Sequence, residues 1–168
     1  LDQPLDIKFK KAETGKEFLN HSLSELPADI YISVAAIADW KIENIEKQKI
    51  KKNRQSNITL KFSKNTDVLY EVSRNNMRPN LVIGFAAETE DLIENAKKKL
   101  LKKKCDWVIA NIVSDKQGFN ETNNKVTIVK KDLVKEWPSL SKLNIAEKLV
   151  IEISEYFSKV EKEFQCQK

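Results

Sequence analysis

Histidine and cysteine are nearly missing from this sequence: there is one histidine, His21, and there are two cysteines, Cys105 and Cys166, in 168 residues. With so few parts, neither a zinc site nor a Ser-His or Cys-His dyad can be assembled, and no disulfide framework can be drawn. His21 reads as an ordinary helix residue. Glycine is scarce too, confined to Gly15, Gly84 and Gly118, and none of the three sits in a glycine-rich phosphate turn. No run comes near the roughly 20 apolar residues of a membrane span, and no basic-then-apolar leader opens the chain. A soluble protein of the reducing cytoplasm, without a membrane partner, is expected.

What is present is enough for one core. A chain of 168 residues, 40% hydrophobic, is expected to form a single domain over 1–168. The net charge of +5 raises the question of nucleic acid, but Lys97 to Lys99 and Lys102 to Lys104 fall in the last turns of an expected helix, where cations complement the negative end of the macrodipole. No aromatic residues interleave with them, and no duplex-reading motif stands out, so no nucleic-acid partner is expected.

Strands and helices alternate along the chain. Asp6 to Lys10 alternates as a short edge strand would; Thr14 and Glu17 have the spacing of a capping box for a helix reaching about Leu26, which Pro27 ends. The apolar run Ile30 to Ala38 is too short for an ordinary helix and rich in β-branched residues, which predicts a buried strand. Ile58 to Phe62 reads as a strand with one wet face, and Ser63 to Asp67 turn into a helix carrying Val68, Leu69 and Val72. Leu81 to Ala87 is a second buried strand, feeding a helix capped by Thr89, and Trp107 to Asn111 is a third. Asn123 and Asn124 mark a turn, Val126 to Val129 the last strand, and Leu143 to Phe157 a closing amphipathic helix. The order predicts an α/β class, a Rossmann-like three-layer fold with a mainly parallel sheet, helices on both faces and a small antiparallel excursion.

Two places carry chemistry. Asp39 stands where the Ile30 run stops, with Lys49 ten residues on, and the carboxyl ends of parallel strands are where polar ligands bind. The alternative is a turn-forming acid beside a solvated lysine, and both readings stay open. Winding the Thr89 helix at about 100° per residue puts Lys99 and Lys103 beside Leu92 and Ala96 near the buried edge, and Lys98 and Lys102 on the wet face. The first pair either brackets an anion such as a phosphate or snorkels its stems along apolar surface.

Six motifs then match in register: Ala35-Ala36-Ile37-Ala38-Asp39-Trp40, Lys49-Ile50-Lys51-Lys52, Lys64-Asn65-Thr66-Asp67-Val68-Leu69, Gly84-Phe85-Ala86-Ala87-Glu88-Thr89, Ala110-Asn111 with Val113-Ser114, and Gly118-Phe119-Asn120. In this order they resemble the bacterial phosphopantothenoylcysteine synthetase of coenzyme A biosynthesis. The resemblance implies a ligase that joins 4′-phosphopantothenate to cysteine. CTP with Mg2+ makes an acyl-CMP adduct, and cysteine displaces CMP. It implies CTP contacts at Asp39, Lys49, Thr66, Asp67, Val68, Leu69, Phe85, Lys99 and Lys103, with the Ala35 and Ala36 backbone lining the pocket. It also implies a homodimer paired through the region after Asp39, and FMN only where a decarboxylase domain is fused upstream.

The departures are specific. Thr66 stands where the family usually has proline, Ile112 where aspartate follows the Ala-Asn pair, and Thr122 where an acid is common. None removes a charge from the implied pocket. The family's leading strand, glycine-rich turn and Asn-x-Ser-Ser-Gly-Lys segment have no counterpart here, and with them goes the asparagine implied to stabilise the adduct, so no catalytic residue and no metal ligand is assigned within the chain. The expectation is an N-terminally truncated synthetase domain, inactive by itself. The alternative is a non-catalytic nucleotide-binding module of the same fold.

Overall fold

The computed structural model describes residues 6–44, 48, 59–113 and 122–166. They group into two compact units, one made of Leu1–Ile83 and Lys102–Cys105, the other of Gly84–Leu101 and Asp106–Lys168.

The first unit opens with helix α1, Gly15–Ser24, whose start is fixed by the expected capping box: the Thr14 side chain accepts from the Glu17 amide, and the Glu17 carboxylate accepts from the Thr14 amide. Before it, residues 7–10 form no strand. Asp6 sits at φ 63, Ile7 and Phe9 are exposed, and Lys8 and Lys10 reach Glu25 instead, so the alternation there reflects ion pairing at the end of α1 rather than a ladder. These two lysines, Lys10 first, hold the Glu25 carboxyl down to about 2.

Strand β1 is Ile30–Ser33, shorter than the predicted run, and it is not buried: Ile30 and Ile32 are 37% and 42% exposed. It is the edge strand of its sheet, with a neighbour on one side only. Residues 34–38 lie in no strand, and the carbonyls of Ala38 and Asp39 accept from Asn65. Strand β2, Trp40–Ile42, then pairs antiparallel with β3, Phe62–Lys64, with Trp40 opposite Lys64 and Ile42 opposite Phe62. The predicted strand thus begins later than expected, and Ile58 lies outside the described residues. Helix α2, Val68–Ser73, follows with Asp67 as its cap and with Val68, Leu69 and Val72 buried, as the periodicity predicts.

Strand β4, Leu81–Glu88, is shared: the boundary between the units falls after Ile83. Helix α3, Leu92–Lys103, belongs to the second unit as far as Leu101 and starts three residues past Thr89, so Thr89 is not its cap. Asp91, at φ 47, turns the chain, and its carbonyl accepts the first helical bond from Asn95. Strand β5 is Trp107–Ile112; β6, Asn123–Asn124, was expected to be only a turn. Strand β7, Val126–Lys130, is not the last: β8, Val134–Glu136, pairs with it, and β9, Leu140–Ser141, pairs with β6. Strand β8 is exposed at all three positions, which removes the alternation that would have revealed it. Helix α4, Lys142–Cys166, buries Ile145, Leu149 and Ile153 and runs past Phe157 on residues of good helix propensity.

The sheet has five strands in the order β1-β4-β5-β7-β8. It is mixed: a parallel core, as predicted, is extended by antiparallel β7 and β8, and β2 with β3 supplies the small antiparallel excursion. Among the described residues no helix is long and apolar enough to cross a membrane.

Candidate functional site

In the first unit the expected residues are drawn together by one hinge of hydrogen bonds. The backbone amide of Asn65 donates to the Asp39 carbonyl at 2.8 Å, and its Nδ2 donates to the Ala38 carbonyl at 2.9 Å. Its Oδ1 accepts from the Thr66 amide at 2.9 Å. Two residues on, the Asp67 carboxylate does two jobs: Oδ1 caps α2 by accepting from the Tyr70 amide at 3.2 Å, and Oδ2 pairs with the Lys103 ammonium. The lysine side chain is 17% exposed and the aspartate 37%, so the pair is half out of water, and a strong anion from solution can compete for the lysine.

Asp39 itself is exposed, as are Ala35 and Ala36. Its carboxylate makes no hydrogen bond or ion pair among the described residues. Val68 and Leu69 are 2% and 7% exposed, so their side chains belong to the core and only their backbone can meet a ligand. Asp67 satisfies the Tyr70 amide at the start of α2.

In the second unit, Lys99 donates to the carbonyl of Phe85 in β4 at 2.5 Å. The predicted sorting of the α3 lysines holds: Lys99 and Lys103 are half-buried, whereas Lys98 and Lys102 are exposed and Lys98 pairs with Glu94 one turn back. What the winding did not foresee is how the two half-buried ammonium groups are satisfied. Each has a protein oxygen, an acid for Lys103 and a strand carbonyl for Lys99.

Lys49 lies outside the described residues. No group of three or more His, Cys, Asp or Glu side chains suited to a metal exists among the described residues. A protein-built cage of that kind is absent there, but magnesium needs none: it is commonly held by one or two carboxylates together with substrate phosphates, and Asp39 supplies a carboxylate of that sort. Asn65 carried no assigned role in the sequence. The available signal was its place just before a helix cap, where Asn side chains bond nearby backbone.

A family model described as the DNA/pantothenate metabolism flavoprotein C-terminal domain matches residues 1–157. The coenzyme A biosynthesis bifunctional protein CoaBC of Borreliella burgdorferi is 34% identical over 151 residues, which cover 89% of this chain and 38% of that protein. Its counterpart in Haemophilus influenzae is 34% identical over 160 residues, covering 95% of this chain and 40% of that protein. The chain therefore spans about two-fifths of the length of these curated relatives. Among solved structures, the C-terminal domain of a CoaBC protein superposes with a TM-score of 0.73 at 26% identity, over 95% of this chain and 70% of that one. A Cab2 mutant solved in complex with phosphopantothenate-cysteine shares the fold alone, at TM-score 0.58 and 13% identity, over 79% of this chain and 46% of that one.

Proposed function

Since the chain belongs to the DNA/pantothenate metabolism flavoprotein C-terminal domain family, the phosphopantothenoylcysteine synthetase part of CoaBC, we propose that it serves the CTP-dependent ligation of 4′-phosphopantothenate to cysteine. The observation that carries this reading is the Asp67–Lys103 pair, joined through Asn65 to the Ala38–Asp39 segment that precedes β2; Asp39 does not close β1, which ends at Ser33. A half-buried cation paired with a half-exposed carboxylate can exchange that partner for a nucleotide phosphate.

In the proposed reaction a carboxylate oxygen of phosphopantothenate attacks the α-phosphorus of CTP, and pyrophosphate leaves. The cysteine amine then attacks the acyl carbon, and CMP leaves with the bonding electrons of the acyl-oxygen bond. This chain's part is to bind and orient the nucleotide. In the first unit Lys103 offsets phosphate charge, and Asp39 accepts from ribose hydroxyls or would hold magnesium brought with the phosphates; in the second unit Lys99 holds the Phe85 carbonyl. The backbone from Thr66 to Leu69 and at Ala35 and Ala36 lines the same pocket, and Lys49 donates to the base. No residue here is assigned to FMN, which would belong to a fused decarboxylase.

The exposed β2 and β3 arm favours a homodimer. Trp40, Ile42 and Phe62 are 57%, 38% and 55% exposed on it, an apolar surface suited to a second copy.

The test is turnover by the native gene product that carries this chain, followed as CMP release. Release should require both phosphopantothenate and cysteine, and Lys103→Ala should lower kcat/KM by about 10²-fold, the loss expected for one charge-stabilising donor. Full activity in that variant would contradict the assignment of Lys103. Nucleotide binding without any turnover would support a non-catalytic binding module instead.

A further inference from the structure

The proposed pocket depends on where Asp39 stands, one residue before β2, where the backbone bond to Asn65 continues the pairing of β2 with β3 and the Asn65 side chain adds to it. Residues 34–38 form no strand, and the Asp39 carboxylate makes no bond among the described residues. What fixes the segment is Asn65, with three bonds from one residue: backbone N–H to the Asp39 carbonyl, Nδ2 to the Ala38 carbonyl, and Oδ1 from the Thr66 amide. The carboxamide can serve only one way round. Swapping its oxygen and nitrogen would set an oxygen against the Ala38 carbonyl and an NH2 against the Thr66 N–H, losing both bonds.

The first residue of α1 abuts the same group. A Cβ placed on Gly15 would lie 3.2 Å from Asn65 Oδ1 and 3.3 Å from Ile37 Cγ2, so a larger residue there crowds the carboxamide and the segment it holds. Helix α1, the Ile37 to Asp39 segment and the start of α2 therefore meet at one side chain.

We infer that Asn65 is a positioning residue of the nucleotide site, setting the Asp39 carboxylate at a fixed place relative to the Asp67–Lys103 pair. The inference rests on the reading of that site as a nucleotide pocket. Asn65 itself touches no substrate in this account; it acts through Asp39, and its removal should matter only while Asp39 is there to be placed.

The experiment is a double-mutant cycle, with the dissociation constant for CTP in magnesium measured by calorimetry on the 168-residue chain. Asn65→Asp keeps the acceptor for the Thr66 amide but turns a carboxylate oxygen toward the Ala38 carbonyl. It should weaken CTP by about tenfold, the equivalent of one lost hydrogen bond. In an Asp39→Ala background the same substitution should change the affinity by less than about twofold, because coupled residues are not additive. Where Asn65→Asp lowers the melting temperature, Gly15→Ala takes its place, since it leaves every polar group of Asn65 intact and improves helix propensity while crowding the carboxamide. It should weaken CTP without a loss of melting temperature. Unchanged affinity in either variant, or losses that multiply in the Asp39→Ala background, would overturn the inference and leave the pocket reading standing. A wild-type chain that binds no CTP would overturn the reading itself, and the inference with it.

Discussion

Lys98 and Lys99 are neighbours in sequence, yet they have opposite physical roles. Lys98 is exposed and paired with Glu94 at i,i+4, an arrangement worth only a few tenths of a kcal/mol. Lys99 is half-buried and donates to the Phe85 carbonyl at 2.5 Å. Removing it breaks that bond to β4. By urea denaturation, Lys98→Met should leave stability within about 0.5 kcal/mol, whereas Lys99→Met should cost about 1 to 3 kcal/mol. Equal costs would mean that the Phe85 bond contributes nothing. The distinction between these two lysines was legible in the sequence, because helical winding depends only on residue spacing. The role of Asn65 was not. Its partners, Ala38 and Asp39, lie 27 and 26 residues away, and no periodicity reports a side chain bonding that far along the chain. Nor could winding reveal that Asp67 occupies Lys103, because that contact links α3 to the cap of α2.

At the scale of elements, helix α4 shows how a mixed sheet edge is tied down. Glu152, on the helix, accepts from Lys130 of β7 at 3.2 Å and from Lys135 of β8. Lys130 in turn lies 3.8 Å from the Trp107 ring centroid, and Tyr156 packs edge-on to the same ring. Burial alone would raise the Glu152 carboxyl, but the bonds from Lys135 and Lys130 outweigh it and hold it below the ordinary carboxylate range. A carboxyl depressed in the folded state stabilises fully above its unfolded pKa of about 4.3, and that contribution fades as pH falls through the depressed folded value. Glu152→Gln should therefore cost about 1.5 to 3 kcal/mol at pH 7, the range for hydrogen bonds to a charged group, and the difference from wild type should shrink in thermal melts below about pH 4. A difference independent of pH would show that the ion pairs are not its source. Helix α1, with its Thr14 and Glu17 box, and helix α2 were readable because capping and apolar spacing are local. Strand β8 and the two-residue strands β6 and β9 were not, since each exists only by pairing with a partner elsewhere. The edge position of β1 was hidden for the same reason, because an apolar run does not reveal on how many sides it will be paired.

For the molecule as a whole, the α/β class followed from buried runs at Leu81 and Trp107 alternating with amphipathic helices, a pattern that survives errors at any single boundary. The family followed from six motifs in register, and the match over residues 1–157 agrees with them. Choice of nucleotide is the claim that fold likeness leaves open, since one α/β architecture serves many ligands. The most direct test is a calorimetric titration of the 168-residue chain with CTP and with ATP, each in magnesium. The account predicts that CTP binds at least about tenfold more tightly, a difference of about 1.4 kcal/mol that one base-specific hydrogen bond can supply. ATP binding as tightly as CTP, or better, would contradict it.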